Sequence, residues 1–184
     1  KSADAAFLHT TASLTHSKAR ISAQAAGTRV ISMPGVSEEG FLRTLSADMM
    51  PLAELTQRLG ALLDRGSTVR ITSDLGTDLT LELGNPTLVL DGLCHTDGDL
   101  DTFPPGLALS VPPVGTVNGR AVVDGSVTSI GRLATPITMI FEGGSAVRFE
   151  GGPEADRLDQ LLAQFDDPGA YEFAAWGMGT NPGA

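Results

Sequence analysis

The sequence predicts an α/β fold: the end of an α/β lobe, then a mixed, mainly antiparallel sheet domain with flanking helices. Three observations predict it. Helix and strand patterns alternate over residues 1–46. Beyond about residue 67 the apolar periodicity changes from 3.6 to two. Finally, 22 Gly and 11 Pro among 184 residues favour many turns and short strands over a helical bundle.

Residues 14–26 (LTHSKARISAQAA) read as a helix, with Gly27 just past its end. Residues 29–33 (RVISM) follow as a buried strand stopped by Pro34-Gly35. Ser37 before Glu38 and Glu39 is an N-cap with first-turn acids, opening a helix to about Ser46. In the next helix, Leu52, Leu55, Leu59, Leu62 and Leu63 form a stripe expected to face the core, and Gly66 closes it. Residues 68–72 and 79–83 alternate around a turn at 74–78 and read as a hairpin. A short strand at 88–90 leads into a polar loop over 91–106.

Strands are expected at 107–111, 120–123 and 137–142, the last turning through Gly143-Gly144 into 146–150. A helix begins at Gly151-Gly152-Pro153, with Leu158, Leu161, Leu162 and Phe165 on its apolar face, and Asp166-Asp167-Pro168-Gly169 ends it. Residues 177–184 (GMGTNPGA) read as turns with no finishing helix or strand. The domain division expected from this reading is 1–46 and 48–184.

Charge and composition narrow the partners. Net charge is −10 and uneven: residues 1–45 hold five Lys/Arg against three Asp/Glu, and residues 46–184 hold seven against nineteen. An acidic surface repels phosphate backbones and anionic lipid, so neither nucleic acid nor membrane is an expected partner. No apolar run approaches the roughly 20 residues of a membrane span. The lone Cys94 excludes an intrachain disulfide. A cytoplasmic location is the default expectation.

Chemistry-bearing motifs are sparse. Gly177-Met178-Gly179 lacks the third glycine and the following helix of a dinucleotide fingerprint, and there is no phosphate-loop motif. A calcium loop starting at Asp97 would need Gly and Glu where Thr102 and Ala108 stand. His95-Thr96-Asp97 offers two metal-binding side chains, too few for a site without others converging. Cys94 and His95 are adjacent, and neighbours in a strand or loop usually point apart, which is poor geometry for a nucleophile and its base.

The order of five segments is more informative. LTHSKARISAQAAGTRVISMPG, LTQRLGALLDRGSTVRITSDLGTDLTLELG, PPGLALSVPPVGTVNGRAVVDGS, FEGGSAVRFEGGPEADRL and FDDPGAYEFAAWGMGTNPGA run through nearly the whole chain. In that order they resemble the M29 leucyl aminopeptidases and their relatives, the 2,5-dihydroxypyridine 5,6-dioxygenases. The Asp-Pro and the Tyr of the last segment lean toward the dioxygenase branch. The resemblance implies a longer protein, with an α/β lobe before these residues and a metal-binding tail of His and His-x-Asp after them. It also implies a homodimer, a divalent metal (Fe or Zn), and a small-molecule or peptide substrate.

At two places this chain departs from the pattern the resemblance implies. The aminopeptidases carry a metal-binding Glu after the P-x-G turn, where this chain has Leu107. A second ligand, Glu in the aminopeptidases and His in the dioxygenase, falls at Ala175. Neither side chain can coordinate a metal. Glu172 is the only nearby carboxylate and is a candidate replacement ligand. Trp176, Met178 and Asn181 are candidates for a pocket that takes a flat, mostly apolar ligand; the alternative is a core Trp and a Thr180-Asn181-Pro182 turn. The expected function is a metal-dependent enzyme, leaning to a mononuclear-metal oxygenase-like activity on a small molecule. The alternatives are a non-catalytic binding scaffold that lost the metal site and a metallo-aminopeptidase.

Overall fold

In the computed structural model, which describes residues 3–46 and 48–184, the chain opens with strand β1 (Ala5–Leu8), helix α1 (Lys18–Ala25) and strand β2 (Arg29–Ser32). Helices α2 (Glu38–Thr44) and α3 (Met49–Leu63) follow, then the hairpin β3 (Thr68–Thr72) and β4 (Asp78–Glu82), and the short strands β5 (Leu88–Leu90) and β6 (Leu100–Thr102). Next come β7 (Leu107–Ser110), β8 (Asn118–Val123), β9 (Ser126–Val127), β10 (Gly131–Arg132), β11 (Ile137–Glu142) and β12 (Ser145–Glu150). Helix α4 (Pro153–Ala163), a 3-10 turn (Pro168–Tyr171) and β13 (Trp176–Gly179) complete the order. The chain is a mixed α/β protein, as the sequence predicts.

It divides into two compact units, each assembled from separate segments. Unit 1 comprises Lys1–Leu63, Pro86–Leu109 and Gly177–Ala184. It contains a parallel sheet ordered β1-β2-β6 and a sheet ordered β13-β7-β5, with β5 and β7 antiparallel. Unit 2 comprises Asp64–Asn85 and Ser110–Trp176. Its five-stranded sheet is ordered β12-β11-β8-β4-β3, all four neighbouring pairs antiparallel, and the unit also holds a small β9-β10 ribbon. Leu133, Ile137 and Ala155 centre its core, with Met139, Phe149 and Leu158 packed against them.

Local chemistry sets the element ends. Ser37 caps α2 by accepting the Gly40 N–H at 3.1 Å, and Glu38 and Glu39 favour the positive end of that helix. Ser17 caps α1, its hydroxyl accepting from Arg20 N–H at 3.3 Å. The helix expected from Leu14 therefore starts only at Lys18. Asp166, at φ +49°, ends the turn after α4 in the left-handed region.

Four expectations are corrected. The leucine stripe of α3 is only in part its packing face: Leu52 and Leu63 are buried together with Ala53, Thr56 and Gly60, while Leu55 and Leu62 are 51% and 59% exposed. The cause is close approach to β5. A Cβ on Gly60 would lie 2.4 Å from Val89 Cγ2, so small residues must face the strand. Of the apolar face expected on α4, Leu158 packs against the core beside Ala155, whereas Phe165, past the end of the helix, is 71% exposed. The polar loop over 91–106 contains β6, where Asp101 is buried mid-strand because backbone N–H groups satisfy its carboxylate. Residues 176–179 form β13 rather than turns, because β7 supplies a neighbouring strand.

Candidate functional site

Of the segments that carry the resemblance, the start of the third and the end of the fifth meet in unit 1, where residues 105–109 adjoin residues 177–183. Gly106 is buried at φ +96°. Its N–H donates to Leu90 O at 2.8 Å, and its carbonyl accepts the Thr180 N–H at 2.7 Å. A Cβ there would sit 2.8 Å from Thr180 Oγ1 and 3.0 Å from Asn181 N, so only glycine fits. The Thr56 hydroxyl donates to Leu52 O at 2.7 Å, leaving its oxygen to accept from the Thr180 hydroxyl, also at 2.7 Å. Asn181 Nδ2 donates to Thr44 O at 3.3 Å, and its Oδ1 accepts the Gly183 N–H at 2.8 Å. Arg43 donates to the Gly183 carbonyl. Hydrogen bonds thus clamp residues 180–183 onto α2, α3 and the Gly106 turn.

The candidate residues fall at different places. Leu107 is half-buried at the start of β7, opposite Leu90. A Cβ on Gly177 would lie 2.7 Å from Leu107 Cδ1 and 3.1 Å from Leu109 Cδ1, so the Leu107 position holds an apolar contact. Met178 is 41% exposed on β13, two residues from the half-buried Trp176 and so on the same strand face. Asn181 is buried with both ends of its amide engaged. Ala175 is exposed. Glu172 is exposed in unit 2, where its N–H donates to Gly169 O and it bridges to Ser145. The structure brings Leu107 to Gly177 and Gly106 to Thr180 and Asn181; Glu172 belongs to the other unit.

A second cluster in unit 1 lines a depression of about 300 Å³ that includes Gln57, Asp91, His95 and Asp101. Asp91 is buried, accepting from Gln57 Nε2 at 2.6 Å and Leu93 N–H at 2.9 Å. His95 Nε2 lies 3.5 Å from Asp91 Oδ2, so its carboxylate partner is Asp91. Asp101 accepts Thr102 N–H at 2.6 Å and Gly92 N–H at 2.9 Å. Burial raises its pKa to about 6 against those stabilising bonds, and the Asp91 charge adds to the rise. The Cys94 thiol donates to Val30 O at 3.5 Å, and burial pushes its pKa up, so it is no activated nucleophile. Sequence reasoning passed over Asp91 and met Asp101 only as part of the acidic loop 97–101, where a solvated loop is the expectation; the structure buries both carboxylates.

The donor set does not fit a metal. Among the described residues no group of three or more His, Cys, Asp or Glu can hold an ion. Leu107 and Ala175 present only carbon, and Asp91 and Asp101 are engaged by backbone and amide donors. No catalytic step is therefore assigned to a metal held by these residues. No helix among the described residues is long and apolar enough to cross a membrane.

A parallel layer with helices, a glycine-threonine clamp and an antiparallel sheet unit define a mixed α/β chain. The chain belongs to the NicX family, 2,5-dihydroxypyridine 5,6-dioxygenase, whose sequence pattern matches residues 1–184. It is 27% identical over 150 residues to the 2,5-dihydroxypyridine 5,6-dioxygenase of Pseudomonas putida, an overlap covering 75% of this chain and 41% of that protein. The solved structure of 2,5-dihydroxypyridine dioxygenase from Pseudomonas putida KT2440 matches with a TM-score of 0.81 at 25% identity, covering 97% of this chain and 52% of the other. Wild-type AmpT from Thermus thermophilus shares the fold at a TM-score of 0.53 and 19% identity, over 71% of this chain and 34% of that one. The chain thus spans about half the length, or less, of these relatives.

Proposed function

We propose that the protein containing these residues is an oxygenase-like enzyme acting on a small hydroxylated ring, with residues 1–184 serving as framework and substrate-site wall. The agreement with the dioxygenase structure over 97% of this chain carries the reading. In it, the clamp on Thr180 and Asn181 fixes the end of β13, and Met178 would present apolar surface to a flat ligand. A divalent metal, Fe or Zn, would have to be held by side chains other than those described. Homodimerisation and a cytoplasmic location belong to the same proposal.

Two observations favour a second reading, a binding scaffold without metal: the apolar contact at Leu107 and the methyl side chain of Ala175. Oxygen uptake by the full gene product on 2,5-dihydroxypyridine, after loading with Fe(II) and with metal content measured on the same sample, separates the two. Uptake that saturates with substrate supports the oxygenase. A protein that retains no metal and consumes no oxygen, yet binds the ring compound, is the scaffold. Release of leucine from leucyl peptides with added Zn(II) would instead identify a metallo-aminopeptidase.

A further inference from the structure

We infer that unit 1 carries a separate small-molecule site at the carboxyl ends of β1 and β2, built for a flat, neutral or cationic aromatic ring bearing a hydrogen-bond donor. The place is physically apt. The strands β1 and β2 run parallel with Phe7 opposite Ile31, so their carboxyl ends open on the same side. Just beyond those ends lies a pocket of about 410 Å³ lined by Phe7, His9, Met33, Ser37, Glu38 and Phe41. That volume is in the range of small-ligand sites. None of these residues belongs to the clamp or to the Asp91–Asp101 cluster, so the inference goes beyond the function proposed above.

The walls select shape. Phe7 lines the pocket and is 70% exposed on the edge strand β1, so its ring is open to a ligand. Phe7 and His9 are two apart and share a face, while Glu38 and Phe41 share a helix face at i, i+3. Phe41 is braced by Phe103, with ring centroids 5.0 Å apart. Met33, 6% exposed, supplies an adaptable floor.

The polar rim selects chemistry. Ser37 Oγ is engaged by the Gly40 N–H. His9 Nε2 lies 2.9 Å from Val36 O, and a carbonyl only accepts, so that nitrogen is the N–H donor. In the neutral ring Nδ1 is then an acceptor, and Glu38 contributes carboxylate acceptors. A rim of acceptors with one negative charge takes a ligand that donates, such as a phenolic hydroxyl or an amino group, and rejects a carboxylate.

Ligand-observed NMR titrations of the full gene product with phenol, cyclohexanol and benzoate test this. Phenol is expected to bind saturably with a Kd on the order of 1 mM, a reasonable affinity for a seven-atom ligand. Cyclohexanol and benzoate are expected at least about tenfold weaker, by the loss of ring stacking and by charge repulsion. Phe7→Ala, at an exposed position, should weaken phenol at least about fivefold with an unchanged circular-dichroism spectrum and Tm. Glu38→Gln should bring benzoate to within about threefold of phenol. Absence of saturable phenol binding overturns the inference. So does phenol binding unaffected by Phe7→Ala, which would place the ligand elsewhere, or cyclohexanol binding as tightly as phenol. These readouts do not involve oxygen uptake, so they stand or fall apart from the oxygenase reading.

Discussion

The Thr180 hydroxyl donates to Thr56 Oγ1 across 2.7 Å and 124 residues of sequence, joining β13's trailing segment to the middle of α3. Thr56 is fully buried, and its own proton goes to Leu52 O. Replacing it with isosteric valine removes both bonds and leaves the part-buried Thr180 hydroxyl facing a methyl group. Thr56→Val is expected to destabilise the protein by about 1–3 kcal/mol, the cost of an unmade buried hydrogen bond. Urea denaturation of both single variants and of the double variant Thr56→Val/Thr180→Val measures it. The double variant should lose less than the sum of the two singles, since one shared bond is counted twice. Strict additivity would refute the link.

Gly106 and Gly177 differ in what a methyl group would meet. At Gly106 it meets backbone (Asn181 N at 3.0 Å) and Thr180 Oγ1, with φ at +96°. At Gly177 it first meets the tip of the Leu107 side chain at 2.7 Å, which can rotate away. Gly106→Ala is therefore expected to cost about 2 kcal/mol or more, combining left-handed strain with the clash, and Gly177→Ala clearly less. Leu107→Ala placed on Gly177→Ala should recover part of the loss, and should do nothing for Gly106→Ala. Thermal melts of the four variants decide the ranking.

Stability should fall as pH rises from about 4 to 6, and Asp101 is the reason. Its folded pKa of about 6 lies above the ordinary aspartate value, so the folded state binds the proton more tightly than the unfolded state in that window. The contribution is whole below about pH 4 and is lost as pH rises through 6. Asp78 and Asp99 have lowered pKa values and act with opposite sign, losing their contribution only as pH falls below the ordinary range, so they do not mask it. Asp101→Asn removes the titration and also exchanges one acceptor for an amide facing the Gly92 and Thr102 N–H groups. The variant should be less stable than wild type at pH 4 and should lack the wild-type decline between pH 4 and 6. An unchanged slope in denaturation midpoints would sink the assignment.

The elements legible in the sequence are those whose cause is local. Ser37 caps α2 through an N–H three residues away, and the β3–β4 and β11–β12 hairpins close over turn residues beside them. What escaped has a distant cause. Leu55 and Leu62 of α3 are exposed and Gly60 faces β5 instead, because Val89, far along the chain, comes within 2.4 Å of where a Cβ on Gly60 would sit. Asp101 is buried because Gly92 reaches its carboxylate, and a Gly-rich tail becomes strand only because β7 lies beside it. The same division holds at the site. The segment order led to Leu107 and Asn181 as the places to look. That Asn181 is spent on Thr44 and Gly183 emerges only in three dimensions.

That difference separates Asn181 from Met178. Asn181 is 8% exposed and its amide ties α2 to the Gly183 turn, so Asn181→Ala strands the Gly183 N–H and the Thr44 carbonyl. The expected loss is about 1–3 kcal/mol of stability. Met178 is 41% exposed, and Met178→Ala should change stability by less than about 0.5 kcal/mol. If β13 walls the substrate site of an oxygenase, Met178→Ala should raise KM for the ring substrate about tenfold with kcat little changed, the signature of lost ground-state contact. Steady-state kinetics beside thermal melts on both variants would separate the roles. A Met178→Ala enzyme with wild-type KM removes Met178 from the substrate wall, and an Asn181→Ala protein with wild-type Tm removes Asn181 from the clamp.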